Sequence, residues 1–213
     1  MMQLHYFPSN ASMTPHMLLE ELGVPYERVL VDRTKNAHHS PEYLALNPNG
    51  KIPVLVDGEL VLYETAAIVL HLVDTHPQAG LAPAIGSAER ASFYKWLMWL
   101  TNTLQAEMIL YFYPDRWADT PEAAAQVKRH AEAHIAAMVD QLEAELARHG
   151  GPWFLGEGYS ALDPFVLMLC RWTRGMARPA RTLPALGPYL QRMLARPAVR
   201  RAYANEGLGE PRV

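Results

Sequence analysis

The chain has little of what marks several protein classes. Among 213 residues there is one cysteine, Cys170, set in the apolar run Phe165-Val166-Leu167-Met168-Leu169-Cys170. A lone thiol excludes an intrachain disulfide, a CxxC redox pair and a cysteine-rich zinc site, and it suits a reducing compartment. No apolar stretch approaches the roughly 20 residues that span a bilayer. The opening Met1-Met2-Gln3-Leu4-His5 lacks a basic segment followed by an apolar run, so the expectation is a soluble, untargeted, cytoplasmic chain with no membrane partner. Charge of one sign is also scarce: 19 Lys plus Arg stand against 22 Asp plus Glu, a net charge of -3. No basic run is available to neutralise a phosphate backbone, which argues against a nucleic-acid partner. What is abundant is core material. Half the residues are hydrophobic and 19% charged, enough to close one two-layer domain or two small ones and to exclude disorder.

The pattern changes near residue 80. Gln3 to Phe7 reads as a short strand, and Ser12 to Pro15 open a helix carrying Met17, Leu18 and Leu22 that Gly23 stops. Tyr26 to Val31 alternates as a second strand, joined to the first by a right-handed crossover and so parallel to it. Ser40-Pro41-Glu42 starts a brief helix ending before Pro48. Pro53 to Val56 and Leu60 to Leu62 then flank Asp57-Gly58, a hairpin signal. Glu64-Thr65 opens a helix with Ile68, Val69, Leu72 and Val73 at helical spacing. The order β-α-β-α-β-β-α describes a small mixed sheet with helices. Residues 77 to 86 are rich in Pro, Gly and Ala, and beyond them only helices are expected: Ser87 to about Tyr113, Thr120 to Gly150, one after the box-like Ser160-Ala161-Leu162-Asp163, and a last region from about Leu183 to Arg196 with a short piece after Pro197. We divide the chain into residues 1–78, a linker at 79–86, and an all-helical part at 87–213.

Three features point to one kind of ligand. At the end of the first strand, Tyr6, Asn10 and Ser12 place a phenol, an amide and a hydroxyl ahead of a helix N-terminus. Unpaired N–H groups there carry about half a positive charge, and a hydroxyl can donate to a bound thiolate; plain capping would use the same residue types. In Asn47-Pro48-Asn49-Gly50-Lys51-Ile52-Pro53-Val54 a proline opens a strand. A cis Ile52-Pro53 bond would turn the Ile52 N–H and C=O sideways to pair with a peptide-like ligand, and a trans bond would leave an ordinary strand start. Glu64 and Thr65 follow a strand and begin a helix, so Thr65 can meet a carboxylate and Glu64 an ammonium, the two halves of an amino-acid head group. Two histidine pairs, His130/His134 and His38/His39, lack a third ligand nearby in sequence, and no metal is expected.

Leu4-His5-Tyr6-Phe7-Pro8, the run Asn47 to Leu55, Leu62-Tyr63-Glu64-Thr65-Ala66-Ala67-Ile68 and Ser160-Ala161-Leu162-Asp163 together resemble the cytosolic glutathione transferases, of the bacterial beta and theta-like kind. The resemblance spans essentially the whole chain and is strongest in the first 80 residues. It implies an α/β thioredoxin-like N-terminal domain, an all-α C-terminal domain, a homodimer, and glutathione as cosubstrate. It also implies that Ile52, beside a cis Pro53, pairs with the cysteinyl backbone, that Glu64 and Thr65 hold the γ-glutamyl head, and that His38 and Lys51 lie near the glycine carboxylate. Beta-type members carry cysteine then serine where this chain has Ala11 and Ser12, and histidine where it has Gln105. Without that cysteine, the candidates for thiol activation are Ser12, then Tyr6, then Asn10.

The expected chemistry is attack of the glutathione thiolate on a small hydrophobic electrophile. A thiol with a reference pKa of about 8.5 is mostly protonated at neutral pH, so activation means lowering that value. Met108, Tyr111 and Trp117, in an aromatic segment after a long helix, are the expected walls of the electrophile pocket. Glutathione-dependent disulfide or peroxide reduction, with Asn10 as its feature, and a non-catalytic glutathione-binding scaffold, suggested by the missing cysteine, are the alternatives.

Overall fold

The computed structural model describes residues 1–213, which divide into two compact units: Met1–Ala82 with Met193–Arg212, and Pro83–Arg192 with Val213.

In the first unit, β1 (Met2–Tyr6), α1 (Met13–Leu22), β2 (Tyr26–Leu30), α2 (Pro41–Leu46), β3 (Val54–Asp57), β4 (Leu60–Tyr63) and α3 (Thr65–Thr75) follow in that order. The four strands lie β2-β1-β3-β4. β1 and β2 are parallel, with Leu4 opposite Arg28; β3 is antiparallel to both β1 and β4, with Leu55 opposite Leu4 and Leu62. Alternation along β1 sends Leu4 into a core with Leu18, Ile68 and Leu72, all fully buried. The second face of the sheet carries its own cluster, Val31, Tyr43, Ile52 and Val54, with Phe7 and Leu46 against it. Each fully buried aliphatic side chain contributes about 1.5–3 kcal/mol, so both faces are anchored. α1 ends where expected: Gly23 takes φ 64° and its N–H reaches Leu19 O, the left-handed close that a side chain would strain.

In the second unit, α4 (Ala88–Trp99) passes through a π-helical turn at Leu100–Leu104 into α5 (Gln105–Phe112), followed by α6 (Pro121–His149), α7 (Leu162–Trp172) and α8 (Leu186–Ala195, ending in the first unit). Thr120 caps α6 by accepting the Ala123 N–H, and buried Ala131, Ile135, Val139, Leu142 and Leu146 form its inner face. The box before α7 is closed by the Asp163 side chain. Asp163 accepts from the Ser160 N–H (2.7 Å), the Phe154 N–H (2.8 Å) and the Tyr189 hydroxyl (2.9 Å). Burial pushes its carboxyl up to about 6, against the pull of those hydrogen bonds.

The C-terminal stretch differs from the domain division drawn on sequence. α9 (Pro197–Asn205) and the residues after it pack on α1, within the first unit. Arg196 pairs with Glu21 through two nitrogens (2.6 and 2.9 Å), and Arg201 pairs with Glu20 (2.6 Å). Buried Val199, Ala202 and Tyr203 supply the apolar contact. An amphipathic nine-residue helix reads as part of any helical domain, and its sequence does not say which surface covers its apolar face. No helix is long and apolar enough to cross a membrane.

Candidate functional site

The Asn47-to-Val54 turn is held by its own side chains. The Tyr43 hydroxyl and the Asn47 amide both donate to Lys51 O, at 2.7 and 2.8 Å, and burial pushes the Tyr43 phenol up, which keeps it a donor. Gly50 has φ 59°, and a Cβ there would stand 2.7 Å from His39 Nδ1, so a larger residue would displace that ring. The Ile52-Pro53 bond is cis. With Lys51 O occupied, the next main-chain groups, Ile52 N–H and C=O, have no hydrogen-bond partner in the chain, while the Ile52 side chain lies in the core cluster. A main chain with unpaired groups beside a strand is a template for an extended peptide.

Glu64 sits at φ 73°, ψ 117°, outside the regions comfortable for a residue with a Cβ. Its carbonyl accepts from Ile68 N–H at 3.0 Å, while its side chain makes no capping bond. The first N–H groups of α3 are therefore uncapped, with Thr65 nearly buried (5% exposed) as the first helical residue. Strain of this kind costs on the order of 1–3 kcal/mol and concentrates at ligand sites. His38 is half-buried with its ring 4.1 Å from that of His39, and Lys51 is exposed.

The β1–α1 loop holds the three activation candidates differently. Ser12 is fully buried; its hydroxyl donates to Phe7 O (3.1 Å) and accepts from Phe7 N–H (3.3 Å). It therefore closes the loop and does not cap α1. A hydroxyl has one proton, and this one serves Phe7 O, which also accepts the Asn10 N–H at 3.2 Å, so redirecting it to a ligand would give up one loop hydrogen bond, about 0.5–1.5 kcal/mol. Tyr6 is half-buried, its ring beneath the Arg28 guanidinium (5.4 Å) and 6.2 Å from that of His16. Asn10 accepts the Ala11 N–H through Oδ1 at 2.7 Å, which fixes the amide and leaves the Nδ2 donors without a partner in the chain. Two residues that sequence reasoning missed complete the loop. Glu206 accepts the Ser9 N–H (3.0 Å) and contacts His16 Nδ1 (2.7 Å). Neither has a motif, and the pairing spans 190 residues.

In the second unit the three expected pocket residues lie in different surroundings. Met108 is fully buried, and Tyr111 lies under the Lys128 ammonium, 4.8 Å from its ring centroid. Trp117, 51% exposed, lines a cavity of about 470 Å³ with Leu110, Val127 and His130. His134 Nδ1 is bound to Glu107 (3.0 Å). A different set shares one face of α5: Gln105 and Phe112, two turns apart, with Phe112 43% exposed and edge-on to Trp172 at 6.1 Å. Gln105 Oε1 is buried without a hydrogen-bond partner, and the π-helical turn just before it sets the phase of this face.

A mixed four-stranded sheet with an unpaired main-chain segment and an uncapped helix, followed in sequence by an all-helical unit, is the glutathione S-transferase fold. Residues 2–74 match the glutathione S-transferase N-terminal domain family and residues 121–204 the glutathione S-transferase C-terminal domain family. The chain is 34% identical over 196 residues to the glutathione S-transferase GstB of Escherichia coli K12, covering 87% of this chain and 88% of that protein. It is 29% identical over 223 residues to the disulfide-bond oxidoreductase YfcG of the same organism, with 100% and 99% covered. A sphingomonad glutathione S-transferase solved in complex with glutathione superposes with a TM-score of 0.84 at 30% identity, covering 97% of this chain and all of that one. The protein belongs to the glutathione S-transferase family of enzymes.

Proposed function

We propose that this protein binds glutathione on its first unit and conjugates its thiolate to small hydrophobic electrophiles, working as a cytoplasmic homodimer without a metal. The observation that carries the reading is the unpaired Ile52 main chain beside uncapped α3. An extended γ-glutamyl peptide needs both: a strand-like edge for its cysteinyl amide and carbonyl, and helix-end N–H groups for its α-carboxylate. Thr65 and Glu64 take the head group, and His38 and Lys51 the glycine carboxylate. The relatives' names and the glutathione in the sphingomonad structure support the same ligand.

For activation, the geometry favours Asn10 over Ser12, because the Asn10 Nδ2 donors are unengaged whereas the Ser12 proton serves Phe7 O. Donation to the sulfur, together with the α1 N-terminus, stabilises the thiolate; its proton leaves to solvent. The thiolate electron pair then forms a carbon–sulfur bond, and the leaving group departs with the displaced pair. We place the electrophile against the Gln105, Phe112 and Trp172 surface, whose exposed ring suits an apolar body.

Ultraviolet titration of the bound thiol between pH 5 and 9 tests the reading. A bound thiol pKa well below about 8.5 supports it. An unshifted pKa with turnover of mixed disulfides would favour the reductase reading, for which the likeness to YfcG and the Asn10 amide speak. Absence of glutathione binding would sink both.

A further inference from the structure

A groove of about 310 Å³ runs along the side of α6, against the turn that follows α7. Its floor is apolar and sealed: Ile135, Val139 and Met176 are buried, and Ala136 is short enough to leave the space open. Thr173 also lines it, but its hydroxyl is saturated, donating to Cys170 O (2.6 Å) and accepting the Ala180 N–H (2.8 Å). Nothing on the floor competes for a hydrogen bond.

The charged rim can be accounted for group by group. Arg178 is neutralised by Asp140 through both terminal nitrogens. Glu132 is in the lining, and one of its oxygens accepts the Ala177 N–H at 2.7 Å, which ties its carboxylate to the turn. Arg129 is exposed at the rim, and its side chain makes no hydrogen bond or ion pair within the chain. With Asp140 included, Arg129, Glu132 and Arg178 sum to zero charge, and Arg129 is the one guanidinium of the rim left without a partner.

We propose that this groove is a binding site for an amphipathic monocarboxylate of the medium-chain alkyl kind. Its chain lies on Ile135, Ala136, Val139 and Met176, and its carboxylate meets Arg129 in a charge-assisted, two-pronged hydrogen bond. The volume is at the small end of the range for ligand pockets, about 300–1,000 Å³, which admits a single alkyl chain and excludes bulky polycyclic ligands. A neutral lipid would leave the guanidinium unanswered, and a small inorganic anion would leave the apolar floor wet. The site is independent of the glutathione reading, since none of its residues is assigned to that machinery.

Calorimetric titration of the full-length protein with sodium octanoate, and separately with octan-1-ol, tests the proposal. Octanoate is expected to bind at one saturable site, with the alcohol at least about tenfold weaker, the scale of one charge-assisted hydrogen bond. Arg129→Gln is expected to weaken octanoate binding about tenfold while Arg129→Lys recovers most of it. Ala136→Trp, which fills the groove, should abolish binding, and far-ultraviolet circular dichroism will confirm that this variant is folded. Equal affinity for acid and alcohol, octanoate binding unchanged by Arg129→Gln, or no binding at millimolar concentration overturns the proposal.

Discussion

His16 Nδ1 lies 2.7 Å from Glu206 Oε1, with the two side chains 0% and 1% exposed. The other carboxylate oxygen accepts the N–H of Ser9, which itself sits at φ 62°. One buried carboxylate thus joins α1, the loop before it and the stretch after α9. Removing one partner of such a pair strands the other, at about 3–5 kcal/mol. Glu206→Ala is expected to lose stability on that scale in urea denaturation, and Glu206→Gln less, because the amide oxygen still accepts from Ser9. Equal midpoints for wild type and Glu206→Ala would show that the pair holds nothing.

Ser12→Ala and Asn10→Ala are expected to fail in different ways. The first removes the Phe7 latch and should cost about 1–3 kcal/mol of stability while leaving the pKa of bound glutathione near its wild-type value. The second should leave the fold intact and raise that pKa. The opposite pattern would return the activating role to the hydroxyl.

Cys170 is 1% exposed, and burial pushes its thiol up to about 12. A thiol reagent at pH 8 should therefore modify the native protein at less than about one-hundredth of its rate in denaturant, since the reactive thiolate is scarce and unreachable. Stoichiometric labelling within minutes under native conditions would contradict the burial.

Asp163 gives a pH dependence of definite sign. Its carboxyl is raised from 3.8 to about 6 in the folded protein. The native state binds the extra proton, so this contribution is complete below pH 4 and fades as pH rises through 6. A shift of about two units corresponds to on the order of 3 kcal/mol. The stability advantage of wild type over Asp163→Asn should shrink between pH 4 and pH 7. An advantage that grows over this range would mean that the hydrogen bonds to Asp163 outweigh burial.

Much of the architecture was legible because its signals are local. Gly23 after an apolar helix, Asp57-Gly58 between two strands, and Thr120-Pro121 before a long periodic run each specify a boundary within a few residues, and the elements start and stop there. The Ile52-Pro53 and Glu64-Thr65 segments were legible for the same reason. The hydroxyl of Ser12 was not, since its orientation depends on Phe7 five residues earlier and its helix-start position suggested a cap. Glu206 and α9 were hidden by distance along the chain. On α5, Met108 falls in line with Leu97, Leu100 and Leu104 and is buried with them, while the face carrying Gln105 and Phe112 depends on a turn with no compositional signature.

That turn, Leu100–Leu104, is one residue longer than the α-helix around it requires, since its hydrogen bonds reach to i+5 rather than i+4. It has the form of an insertion absorbed in place. Deleting a residue from a helix normally rotates everything downstream by about 100°. Here the loss of Thr101 or Asn102, neither of them buried, would instead anneal the π turn into regular helix and leave the two flanks in phase. The helix from Ala88 to Phe112 thus carries a spare residue, and it is the place where this chain can change length without redrawing its core.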